Sequence, residues 1–218
     1  RVTAWARRIA LFTEEDVMLM IKRCVLLACL LAAPLAQAGK VVVFGDSISA
    51  AYGLNPAQGW VSLLQKKLGA KHQVVNASLS GETTAGGLSR LPGVLQQHKP
   101  DVLVLELGGN DGLRGLPLPA MQDNLNQMVR LAQSQKARVL LVGMALPPNY
   151  GPEYGNKFQA VFRDVAAARK TALVPLLVKG FERDLGKFQP DGIHPAASAQ
   201  GQMLENVLPA LLPLLPKS

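Results

Sequence analysis

Val41-Val42-Val43-Phe44 is an unbroken apolar run, and Gly45 stops it. Val102-Leu103-Val104-Leu105-Glu106-Leu107 repeats the pattern before Gly108, and Arg138–Met144 (RVLLVGM) repeats it again. A strand with one face in water alternates apolar and polar side chains, whereas a strand covered on both faces reads as continuously apolar. These runs therefore demand a sheet buried on both sides. His72–Asn76 (HQVVN) and Ala172–Val174 are shorter candidates for the same sheet. Helical patterns fill the intervals. Trp60, Val61, Leu64 and Leu68 recur at helical spacing, and Gly69 follows as a stop. Thr83–Gln97, Pro119–Gln135, Gly155–Lys170 and Ala196–Leu208 read as further helices, with Pro92 perturbing the first of these. Strands alternating with helices predict βαβ units and a parallel sheet in an α/β fold.

Composition agrees with a packed domain. Hydrophobic residues make up 49% and charged residues 17%, which excludes a disordered chain lacking apolar surface to offset ordering entropy. Aromatics are 5%, so the core is aliphatic. Two cysteines exclude a disulfide-rich scaffold and a four-cysteine zinc site.

The N-terminal stretch has a different character. Lys22 and Arg23 precede an apolar run from Cys24 to Pro34, and Ala36-Gln37-Ala38 follows. This order predicts a secretory signal peptide cut between Ala38 and Gly39, with an expected start at Met18 and an upstream extension over 1–17. The run is too short to span ~30 Å of hydrocarbon. Leu26-Leu27-Ala28-Cys29 offers a second reading, a lipoprotein box anchored at Cys29, and an uncleaved anchor is a third. The expected organisation is thus 1–38 as extension and leader and 39–218 as a single domain, periplasmic or secreted. Lys plus Arg is 23 against 15 Asp plus Glu, a net charge of +8. Residues 1–38 carry five of the basic and three of the acidic residues, which lowers the net charge of the remainder to +6. The remaining basic residues form no concentrated run, so no nucleic-acid partner is expected.

Open parallel sheets bind ligands beyond the carboxyl ends of their strands. Gly45-Asp46-Ser47 follows the first strand, and Asn76-Ala77-Ser78-Leu79-Ser80-Gly81 the second. Gly108-Gly109-Asn110-Asp111 follows the third, and Asp191-Gly192-Ile193-His194-Pro195 lies near the C-terminus. Taken singly, the first, third and fourth of these segments read as a capped turn, a glycine-rich loop and a surface turn. Their order and placement at strand ends point to one site. A serine hydroxyl needs a base to become a nucleophile. His194 suits this role, since His72 and His98 read as solvated surface residues. Asp191, three residues earlier, can reach the imidazole through a tight turn and fix its tautomer. The Ser47 and Gly81 N–H groups and the Asn110 side-chain amide are candidate donors to a developing oxyanion. Asp46 is expected to accept hydrogen bonds within its loop. Asp111 is expected to brace or cap, and Glu106 to bond backbone or loop groups in an apolar strand.

At these residues the chain resembles the SGNH (GDSL) hydrolases, with Ser47, Gly81, Asn110 and His194 as the four named residues and Asp191 completing the triad. The resemblance covers about 40–212. It implies a three-layer α/β/α flavodoxin-like fold with five parallel strands. NASLSGETT, ELGGNDGLRG and LPPNYG resemble the branch of exported bacterial acyl-CoA thioesterases, lysophospholipases and arylesterases. That implies hydrolysis of small acyl esters and thioesters by a monomer that needs no metal or cofactor. Leu113, Leu146 and Pro147, on rim loops after the third and fourth strands, are candidate acyl-chain contacts. A carbohydrate O-acyl esterase of the same family and a non-catalytic flavodoxin-like binding module are the competing readings.

Overall fold

The computed structural model divides the chain into two compact units, Arg1–Gln37 and Ala38–Ser218. It describes residues 39–216 and, in the first unit, Glu15, Met18 and Met20, which are helical and exposed. The expected leader, its cut after Ala38 and the Cys29 alternative lie outside the described residues. Among the described residues, no helix is long and apolar enough to cross a membrane.

Five strands form one sheet: β1 (Gly39–Gly45), β2 (His72–Asn76), β3 (Val102–Glu106), β4 (Arg138–Val142) and β5 (Ala172–Val174). Their order is β2-β1-β3-β4-β5 and every pairing is parallel. Six helices of the second unit connect and cover them: α1 (Trp60–Leu68), α2 (Thr84–His98), α3 (Gly109–Leu113), α4 (Leu118–Ser134), α5 (Pro152–Arg169) and α6 (Gln200–Leu211). Side chains alternate across the sheet. Val42, Phe44, Leu103, Leu105 and Leu141 point to one face, packed by Leu91, Leu125, Met128, Phe158 and Phe162 of α2, α4 and α5. Val41, Val43, Val104, Leu140 and Val142 point to the other, packed by Trp60, Leu64, Met203, Val207 and Leu211 of α1 and α6. Each fully buried Leu, Val or Phe contributes about 1.5–3 kcal/mol in apolar transfer. The continuous apolar runs are explained by this two-sided burial, and the architecture is the expected three-layer α/β/α sandwich.

Differences from the sequence reading have local causes. Helix α2 runs unbroken through Pro92, whose ring is on the exposed face. Helix α5 begins at Pro152, three residues earlier than the apolar periodicity suggests, because proline at the first helical position loses no hydrogen bond. Helix α6 begins at Gln200 rather than Ala196, after a 3-10 turn over Ala197–Ala199, and a second 3-10 turn at Leu212–Leu214 ends it. His72 and His98 are half-buried rather than solvated. His72 opens β2 with Nδ1 buried and without a hydrogen-bond partner among the described residues.

The chain leaves β1 toward β2 on one side, and β3 then lies on the other side of β1. Strand order reverses there, so the loops after β1 and β3 diverge and leave a crevice. Register places the two strand ends side by side, Gly45 opposite Glu106. The nucleophile candidate and Asn110 therefore emerge at one point of the rim.

Candidate active site

Ser47 sits in the first of a series of tight turns after β1, closed by Ala50 N–H to Asp46 O (2.9 Å) and Tyr52 N–H to Ser47 O (3.0 Å). Its Oγ is 2.8 Å from His194 Nε2, although 147 positions separate the two residues. On the other side of the ring, His194 Nδ1 is 2.7 Å from Asp191 Oδ2. The Asp-Gly-Ile-His spacing works through an Asx-type turn: Asp191 Oδ1 accepts the backbone N–H groups of Ile193 and His194, each at 2.9 Å. Gly192, at φ +69°, supplies the left-handed residue of this turn. Partial burial works to raise the Asp191 pKa. The backbone hydrogen bonds from His194 and Ile193, then the imidazole itself, outweigh it and hold the carboxyl below 3.8. A charged carboxylate facing Nδ1 fixes that nitrogen as the donor and leaves Nε2 to accept from serine.

Gly81 adopts φ +78°, a conformation that an L side chain strains to reach. Neither its N–H nor that of Ser47 donates to any described residue, so both remain available to a ligand oxygen. Asn110, the third candidate donor, has partners of its own. Its side-chain amide is not free: Nδ2 donates to Glu82 O at 3.0 Å and to Asp46 Oδ2 at 3.2 Å. Both amide hydrogens are thus engaged, and an incoming oxyanion would have to share one. The arrangement orients the amide between the Ser47 loop and the Gly81 loop.

The acidic neighbours behave as the sequence suggests, with added detail. Asp46 Oδ1 accepts Ile48 N–H (3.0 Å) and Oδ2 accepts from Asn110, the expected loop role. Burial, only partly offset by the Ile48 bond and by His194, raises the Asp46 pKa from 3.8 to about 6. Glu106 is fully buried; its Oε2 accepts from Ser49 Oγ (2.5 Å) and Asp46 N–H (3.4 Å). Burial first, and the Asp46 charge second, push its carboxyl well above the usual range. Asp111 braces the start of α2 by accepting from Thr84 N–H (2.8 Å) and Thr84 Oγ1 (2.5 Å).

Leu113 lies in the last turn of α3 and is half-buried, its carbonyl accepting from Tyr150 Oη at 2.8 Å. Leu146 is half-buried against the core cluster that includes Phe158. Pro147, also half-buried, leads into the turn at Pro148–Tyr150. Among the described residues, no cluster of three or more metal-ligating side chains is present.

Several contacts escape sequence reading. Tyr52 covers the imidazole, with ring centroids 4.6 Å apart. Gln189 links the two loops by donating to Tyr52 O (2.8 Å) while its own N–H bonds His194 O (2.8 Å). Glu82 and Arg90 pair at 2.7 Å, and the guanidinium also bonds Ala77 O and lies 4.2 Å from the centre of the Phe44 ring. These pairings join separate segments and carry no local pattern in the sequence.

Residues 43–201 match the model of the GDSL-like lipase/acylhydrolase family. The chain is 54% identical over 192 residues to esterase TesA of Pseudomonas aeruginosa, covering 87% of this chain and 96% of that protein. It is 37% identical over 180 residues to thioesterase 1/protease 1/lysophospholipase L1 of Escherichia coli, covering 83% and 86%. The crystal structure of TesA superposes with a TM-score of 0.79 at 55% identity, covering 81% of this chain and 99% of that one. Sequence and fold agree, and the chain belongs to the GDSL-like lipase/acylhydrolase family as a hydrolase.

Proposed function

We propose that the protein is a serine esterase and thioesterase acting on small acyl esters and thioesters, among them acyl-CoA, lysophospholipids and aryl esters. The observation that carries this reading is the continuous relay Ser47 Oγ–His194 Nε2 (2.8 Å) and His194 Nδ1–Asp191 Oδ2 (2.7 Å). The names of the relatives, an esterase and a thioesterase/lysophospholipase, support the substrate class.

In the proposed mechanism, Ser47 Oγ attacks the acyl carbonyl while His194 Nε2 takes its proton. The carbonyl π electrons move onto oxygen, and the oxyanion is met by the Ser47 and Gly81 N–H groups and by one hydrogen of the Asn110 amide. One well-placed donor is worth roughly 10²–10³ in rate. The carbon–sulfur or carbon–oxygen bond breaks as His194 returns the proton to the leaving thiolate or alkoxide. Water then adds to the acyl-serine, with the same histidine accepting and returning a proton, and releases the acid. Asp191 keeps the ring oriented and stabilises the imidazolium. Leu113, Leu146 and Pro147 line the acyl side of the groove in this reading. The leader-like pattern over 22–38 supports export to the periplasm, and a single chain carries the whole relay, as a monomer requires.

Wild type and Ser47→Ala, compared on palmitoyl-CoA, lysophosphatidylcholine, p-nitrophenyl butyrate and an acetylated sugar, test the reading. Hydrolysis of the first three by wild type and loss of all of it in the variant are expected. Retained hydrolysis in Ser47→Ala, or hydrolysis of the sugar ester alone, would overturn it.

A further inference from the structure

Glu106 is a fully buried acid that no step of the proposed reaction uses. It ends β3 opposite Gly45, and its side chain passes beneath the turn that carries Ser47. The approach is close: a Cβ on Gly45 would come within 2.4 Å of Glu106 Oε2 and 2.9 Å of Ser49 Oγ. Oε2 accepts from Ser49 Oγ at 2.5 Å and from Asp46 N–H at 3.4 Å. Asp46 and Ser49 flank Ser47 on either side, so one carboxyl oxygen grips both ends of the nucleophile turn. Ser49 is held further by Trp60 Nε1–H on its Oγ (3.3 Å) and Asn76 Nδ2–H on its carbonyl (2.8 Å). From Asp46 the chain of bonds continues through its Oδ2 to the Asn110 amide.

One oxygen of the Glu106 carboxyl is fully used and the other is not. Glu106 Oε1 is buried without a hydrogen-bond partner among the described residues. An unmet polar atom of this kind costs about 1–3 kcal/mol, while an apolar residue here would leave the Ser49 hydroxyl and Asp46 N–H without this acceptor. The retained carboxyl serves the turn above it.

We propose that Glu106 is a positioning residue, which fixes Asp46 and Ser49 from below and so holds the Ser47 hydroxyl in line with His194. The proposal rests on the reading of Ser47 as nucleophile. Burial and the neighbouring Asp46 charge favour the neutral acid, so Glu106 acts through hydrogen bonding and shape rather than through its charge. A neutral side chain of the same length should therefore replace it, and a leucine should not.

The test compares Glu106→Leu, Glu106→Gln and Ser49→Ala with wild type in steady-state hydrolysis of p-nitrophenyl butyrate and in the rate of phosphonylation by a fluorophosphonate. Misplacing a reacting group by about 1 Å costs up to ~10²-fold, so Glu106→Leu should lower kcat by roughly 10- to 100-fold at nearly unchanged KM. Phosphonylation should slow in parallel, Glu106→Gln should recover most of both rates, and Ser49→Ala should lower kcat in the same direction. Wild-type kcat in folded Glu106→Leu would overturn the proposal, as would Glu106→Gln as slow as Glu106→Leu. If Glu106→Leu does not fold, unchanged kcat in Ser49→Ala overturns it. Peptide mapping of the phosphonylated wild type separates the two readings, since an adduct at a residue other than Ser47 removes the reading on which this one rests.

Discussion

Asp46→Asn should change how stability depends on pH more than it changes stability at any one pH. Asp46 is 2% exposed, and burial lifts its carboxyl from 3.8 in the unfolded chain to about 6 in the folded one. Below pH 3.8 both states hold the proton and the shift has no effect. As pH rises between 3.8 and about 6, the unfolded chain releases its proton while the fold keeps it, and the fold loses stability throughout that window. A gap of about 2.2 pH units at 1.36 kcal/mol each amounts to about 3 kcal/mol. Asparagine has no proton to retain. Its amide meets the Asn110 amide or Ile48 N–H less well, a pH-independent cost of about 1–3 kcal/mol. Removing the Asp46 charge also relieves Glu106, whose pKa that charge raises, and this moves the comparison in the same direction. Asp191, held low, contributes to both proteins alike and cancels in the difference. Urea unfolding of both proteins from pH 3.5 to 7.5 reads the quantity directly. The stability of wild type minus that of Asp46→Asn should fall by about 3 kcal/mol across this range. Parallel curves, or a difference that grows with pH, would refute the buried, proton-holding Asp46.

Other expectations come from single positions. Gly108 lies at φ +121°, and a Cβ there would stand 2.6 Å from Met121 Cε and 3.2 Å from Phe162 Cζ. Gly108→Ala should destabilise by about 2–4 kcal/mol, from backbone strain plus overpacking, as read by the denaturant midpoint. Asp191→Asn should lower kcat by roughly 10²–10⁴ with little change in KM, because the imidazole tautomer is no longer enforced. A fall in KM-linked binding with kcat intact would assign Asp191 elsewhere. Leu113→Ala and Leu146→Ala should shift the preferred acyl-chain length in a p-nitrophenyl ester series, and an unchanged profile would remove them from the groove.

The sheet was legible because its strands are covered on both faces, which writes burial into consecutive letters such as Val41–Phe44 and Val102–Leu105. Even β5 was readable, although only three residues long, because it falls where the alternation of strand and helix requires it. Asp191 and His194 were legible for another reason: their contact is local, made by a turn spanning the two residues. Ser47 and His194 were joined only by chemistry, since nothing in a spacing of 147 positions predicts a 2.8 Å contact. What sequence left open was the wiring between loops. Tyr52 over the imidazole, Gln189 across to the Tyr52 carbonyl, and Ser49 on Glu106 are contacts of long separation between residues that look ordinary in their own segments. The Asn110 amide was legible as a candidate donor, but not the partners it already has. Its two acceptors come from the loops of other strands.

The assignment of Ser47 as the nucleophile is tested most directly by treating the folded protein with a fluorophosphonate and locating the adduct by peptide mass mapping. One adduct, on Ser47, abolished in Ser47→Ala and in heat-unfolded protein, is the predicted result. No adduct on the folded protein, or an adduct on another residue, would contradict it.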